Sequence, residues 1–139
     1  MDEEKRARIV NTIRNRGHTG DGPRVLVSRQ EFFDGNDDSG SIGCNLAEHP
    51  GMEAFDAAFR AIEALPGVSG VYLAIAELMD EEGVWPFTDT AFITTSLSPG
   101  AFQQILAPLQ PDEVERFSET FANPPKIPAK HRLIHVWWD

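Results

Sequence analysis

A chain of 139 residues with 41% apolar side chains, nine Phe and three Trp among them, carries enough for one hydrophobic core and not for two. A formal net charge of −10 repels phosphate backbones, and no apolar run approaches the ~18 residues of a membrane span, so neither nucleic acid nor membrane is an expected partner. The single cysteine, Cys44, excludes an internal disulfide, and the charged start Met1–Arg6 is no secretory signal; both point to a cytoplasmic protein.

Residues 2–16 predict a helix, with Ile9, Val10 and Ile13 on one narrow apolar stripe that docks weakly or frays. Acids lead it and arginines trail it, as the helix dipole favours. Residues 15–23 (NRGHTGDGP) form a flexible joint. The expected division is a charged head at 1–23 and a single α+β domain at 24–139. Residues 1–30 carry seven Lys/Arg against four acids, and the remainder five against eighteen, so a +3 head adjoins a −13 body. The head either folds back on the body or grips an acidic partner.

Val25-Leu26-Val27 predicts a short strand, and Ser28 with Glu31 has the spacing of a capping box opening a turn that carries Phe32 and Phe33. The polar loop Asp34–Gly40 follows, then a strand over Ser41–Leu46. The clearest helix opens at His49-Pro50-Gly51, carries Phe55, Phe59, Ile62 and Leu65 at spacings of four and three, and stops at Pro66-Gly67. Strands are predicted at 71–76 and 90–96, a helix after Ser98-Pro99-Gly100, a short helix at 112–121 and a last strand at 132–138. From about residue 41 this is strand, helix, strand, strand, helix, strand. That is the order of a ferredoxin-like βαββαβ two-layer sandwich, here with an N-terminal helix and an extra short strand.

Two groups of residues are candidates for function. In the first, Asp34, Asn36 and Asp38 alternate with the spacing of a loop that wraps oxygen ligands around a divalent cation, and Asp37 lies among them. The loop lacks the glycine and the closing bidentate glutamate of an EF-hand: Ser39 and Asn45 stand there. It therefore reads either as a weak cation site or as a turn whose Asx side chains hold their own backbone. No other cofactor is expected. Cys44 and His49 nearby supply the ingredients of thiol chemistry, although a cysteine on an apolar strand is ordinarily just buried. His131 and His135, four apart across the start of a strand, do not share a face, so zinc is not expected.

The second group is aromatic: Tyr72, Trp85, Phe87, Trp137 and Trp138. Neighbouring strand residues face opposite ways, so one C-terminal tryptophan enters the core and the other faces out. Together with Tyr72 and Phe92, the outward one would make an apolar sheet face. Either a partner or second copy, or the N-terminal helix, then covers it. No nucleophile elbow, Walker loop, dinucleotide fingerprint or H-E-x-x-H zinc motif is present.

With F-F-D-G-N at 32–36, G-S-I-G-C-N-L at 40–46, H-P-G at 49–51, W-P-F-T-D-T at 85–90 and V-W-W-D at 136–139, the chain resembles a family of small acidic bacterial proteins over residues 25–139. That resemblance brings no activity, cofactor or catalytic residue with it. In composition alone the chain is also similar to toxin-neutralising immunity proteins. The functional expectation is a non-enzymatic module that binds a protein partner or a second copy, or regulates one. The alternative is a small enzyme or cation-dependent binder built on Asp34–Gly40.

Overall fold

The computed structural model describes all of residues 1–139. Its elements are α1 (Glu3–Asn15), β1 (Leu26–Ser28), α2 (Arg29–Phe33), α3 (Met52–Glu63), β2 (Val68–Glu77), β3 (Phe87–Thr95), α4 (Gln103–Leu106), β4 (Glu113–Arg116) and β5 (Arg132–Trp137), with 3-10 turns at Ser39–Ser41, Pro99–Phe102 and Ala107–Leu109. The strands form one sheet in the order β1-β2-β3-β5-β4, and every neighbouring pair is antiparallel. No helix is long and apolar enough to cross a membrane.

One face of the sheet holds the main core. Val71, Leu73 and Ile75 of β2, Ala91 and Ile93 of β3 and Ile134 and Val136 of β5 alternate onto that face. They meet Phe32 and Phe33 of α2, Phe55, Phe59 and Ile62 of α3, and Leu106 of α4. Helix α1 joins the same core through Ile9 and Ile13, both buried. Its narrow stripe suffices because Arg16 adds a paired contact: the guanidinium donates to both Glu31 oxygens at 2.8 and 2.7 Å and to the Leu26 carbonyl at 3.2 Å. The basic head folds back on the acidic body throughout. Lys5 pairs with Asp34, Arg6 and Arg14 with Asp80, Arg24 with Asp89 and Glu119, and Arg29 with Asp56 and Glu63.

Glu31 also closes the predicted capping box. Its side chain accepts from the Ser28 amide at 2.8 Å, while Ser28 Oγ accepts from the Glu31 amide at 3.1 Å. Burial pushes this carboxyl up, but the Arg16 guanidinium and the Ser28 donors outweigh burial and hold it below its usual 4.5. A depressed carboxyl contributes stability above its unfolded value and loses it as pH falls through the folded one. Glu31→Gln is therefore expected to be destabilised at about pH 6, with a smaller gap to wild type at about pH 3. Urea titrations at the two pH values check this, and a gap independent of pH contradicts it.

The α+β class stands, with helices layered on one side of a sheet, but its topology departs from the ferredoxin-like expectation at two places. Residues 41–46 are not a strand. Gly43 turns the chain at φ +64°, with the Phe55 ring 2.9 Å from where a Cβ would sit, so Ile42 enters the core, Leu46 packs at its margin and Cys44 and Asn45 are exposed. The helix expected at 112–121 is instead β4. Gln110 in the left-handed region ends the preceding turn and Pro111 follows it, and Glu-Val-Glu-Arg then alternates along the edge of the sheet. Without a strand at 41–46 the first of the two expected βαβ units does not form, and β1 leads through α2 and α3 to an antiparallel neighbour, β2.

Candidate functional site

The acidic loop is a structural staple. Asn36 is buried: its Nδ2 donates to the Phe32 carbonyl at 3.2 Å and to Ser41 Oγ at 3.0 Å, and its Oδ1 accepts from the Asp38 amide at 2.9 Å. Asp38 divides its oxygens between the Gly40 amide at 2.9 Å and the Trp85 amide at 3.1 Å, tying the loop to the approach of β3. Asp34 and Asp37 face protein cations, the Lys5 ammonium and the Met1 amino group, each at 2.7 Å. The oxygens with the spacing of cation ligands thus accept hydrogen bonds from the chain's own donors.

Cys44 is exposed, where a strand would have buried it. His49 holds the entry to α3, its Nε2 2.8 Å from the Ile42 carbonyl, its Nδ1 accepting from the Gly51 amide at 3.0 Å, and its ring 5.2 Å from that of Phe55. Both ring nitrogens are occupied, which leaves none to activate the Cys44 thiol. Cys44 and Asn45 do share a small cleft of about 160 Å³ with Phe87, Asp89, Trp137 and Trp138. Asn45 Nδ2 spans it to the Asp139 carbonyl at 3.1 Å.

The aromatic residues divide between the two sheet faces. Trp138 enters the main core beside Phe55 and Phe59, and its Nε1 donates to the Leu109 carbonyl at 2.8 Å. Trp85 is buried in the same core, and Phe87 is half-buried at the start of β3. Tyr72 and Trp137 lie on the outer face, where Tyr72 packs beside Leu26, Ala74 and Phe92. Residues 117–125 run across that face as a strap, with Phe117 on His135, Phe121 on Phe92 and Asn123 on Leu26, while α1 packs in the main core on the other face.

Arg24 anchors the strap from beneath. Its guanidinium lies 5.7 Å from the Phe92 ring centre, forks onto both Glu119 oxygens at 2.7 Å and reaches Asp89 at 3.1 Å. Phe121 packs edge-on against Phe92 at 4.9 Å. Asn123 takes the place of a sixth strand beside β1, accepting from the Leu26 amide at 2.8 Å and donating to the Leu26 carbonyl at 2.9 Å.

Two openings remain on either side of Phe117, each of about 300 Å³. The first is lined by Glu113, His135, Asp89, Glu119 and Trp137, and the Phe117 ring stacks on the His135 ring at 4.3 Å with 5° between planes. The second is lined by Phe117, Ile127, Leu133, Arg116 and Arg132. Of the twelve Lys and Arg side chains, eight have a carboxylate partner; the four without one are Arg116, Lys126, Lys130 and Arg132, all on or beside the strap. Phe117 and Ile127, 44% and 43% exposed, lie among them. The sequence reading missed this surface. Its available signal was the run of basic and apolar residues between prolines at 125–132.

An antiparallel sheet with helices on one face and a tethered strap on the other defines an α+β protein with two openings on its strap side. Residues 4–136 match the family described as "Uncharacterized protein YfbO family", and the chain belongs to it. It is 31% identical over 139 residues to "Uncharacterized protein YfbO" of Escherichia coli (strain K12), covering 98% of this chain and 97% of that one. No solved structure matches the chain.

Proposed function

We propose that the protein is a non-enzymatic binding module that recognises a protein partner at the groove between the strap and the start of β5. One observation carries this reading. In a protein of net charge −10 whose other Lys and Arg side chains are all ion-paired, two of the four unpaired ones, Arg116 and Arg132, line a groove with two exposed apolar side chains, Phe117 and Ile127. The segment that fits is apolar with flanking carboxylates: its side chain would fill the Phe117–Ile127–Leu133 groove, and its acids would pair with Arg116 and Arg132. Such a centre of apolar contact rimmed by charge is the usual anatomy of a recognition site. The test is affinity purification of the tagged full chain from its native cell, beside an Arg116→Glu/Arg132→Glu variant. Both side chains are exposed, so folding is not at stake. A protein retained by the wild type and lost with the variant is the expected result. Equal recovery with both, or none with either, contradicts it.

A further inference from the structure

We propose that Glu113, Glu115 and His135 form a binding site for a divalent transition metal ion, zinc being the ion they suit best. Strands β4 and β5 build it. Glu115 pairs directly with His135, and Glu113 lies two residues along the same strand, so all three side chains rise from the outer face. One donor atom from each lies within 4.8 Å of the other two.

Three observations point to a cation among them. The His135 side chain is more than nine-tenths buried and its Nε2 has no hydrogen-bond partner, an expensive state for a ring nitrogen at a polar site. Glu113 Oε2 lies 3.1 Å from that nitrogen but out of line for a hydrogen bond. A zinc ion with ligands at about 2.0–2.1 Å in tetrahedral array holds its donor atoms about 3.3 Å apart, close to that separation. Finally, the carboxylates of Glu113 and Glu115 approach each other with no Lys or Arg partner at either. Their mutual repulsion is relieved by a cation between them.

One imidazole and two carboxylates suit zinc better than calcium, which takes six to eight oxygens, or copper(I), which takes sulfur. Three protein ligands leave a fourth position open toward the groove lined by Asp89, Glu119 and Trp137. Phe117, stacked flat on the imidazole, fixes the plane of the ring.

The experiment is calorimetric titration of the tag-free full chain with zinc chloride, repeated with Glu113→Gln, Glu115→Gln and Cys44→Ser. One zinc per chain is expected, weakened at least about tenfold by either glutamine and unchanged by the serine, because even partners outside the ligand sphere cost that much in affinity. Cobalt(II) should report four-coordinate visible absorption without a thiolate band. No stoichiometric uptake, or uptake indifferent to both glutamine variants, overturns the site, as does loss of binding with Cys44→Ser. The partner-binding reading rests on Arg116 and Arg132, so either proposal can fail without the other.

Discussion

Trp138→Ala is expected to destabilise the protein by about 3–5 kcal/mol, the loss typical of deleting a large aromatic side chain from a packed core. The indole is 3% exposed, and its ring centre lies 5.5 Å from that of Phe55 and 6.3 Å from that of Phe59. The hydrogen bond from Nε1 to the Leu109 carbonyl also binds the turn after α4 to the end of the sheet. Removing the ring opens a cavity under α3 and leaves that carbonyl without its donor. Since a domain of this size is held by only about 5–15 kcal/mol, one residue here governs a large share of the total. Trp137→Ala, one residue earlier and half-buried on the outer face, is expected to cost well under half as much. Urea titration of the two variants measures the difference. Equal losses would show that the two rings do not divide between the faces.

Arg24→Met is expected to cost about 2–4 kcal/mol, below the figure for a fully buried pair because the guanidinium keeps 26% of its exposure. The methionine leaves Glu119 and Asp89, at 22% and 35% exposure, without their cation. It also removes the platform above Phe92. The strap then loses its anchor, so the Ala122 amide, which donates to the Arg24 carbonyl at 3.0 Å, should exchange with solvent faster than amides in β2 and β3. Arg8→Ala is the control. Its pair with Glu4 lies in water, both side chains more than 60% exposed, and the expected change is within about 0.5 kcal/mol. Chemical denaturation with hydrogen exchange at Ala122 checks both variants. An Arg24 variant as mild as the Arg8 variant would mean that the strap holds itself.

Where local chemistry decides structure, the sequence was legible. Phe55, Phe59 and Ile62 mark the buried stripe of α3, Ser28 and Glu31 form the box they spell, and Trp137 and Trp138 alternate across the sheet as neighbouring strand residues must. The acidic loop shows where legibility ends. Its oxygen spacing is that of a cation loop, yet its carboxylates are taken up by Lys5, the Met1 amino group and the Trp85 amide, partners up to 47 residues away. Residues 41–46 have strand-like composition, but the left-handed turn at Gly43 is set by the packing of Phe55 against it. The strap depends on Arg24 meeting Glu119 across 95 residues, and no periodicity records such a contact. The Glu113–Glu115–His135 group was half visible: the alternate glutamates stand in the sequence, but only the pairing of β4 with β5 places a histidine opposite them.

Site-specific photo-crosslinking from position 127 in the native cell tests the recognition surface most directly. A photoreactive side chain at Ile127 should capture one protein, the same side chain at exposed Glu48 should not, and capture should vanish when Arg116 and Arg132 are changed to glutamate. Crosslinks equal at positions 127 and 48, or indifferent to the two arginines, would contradict a binding groove at the strap.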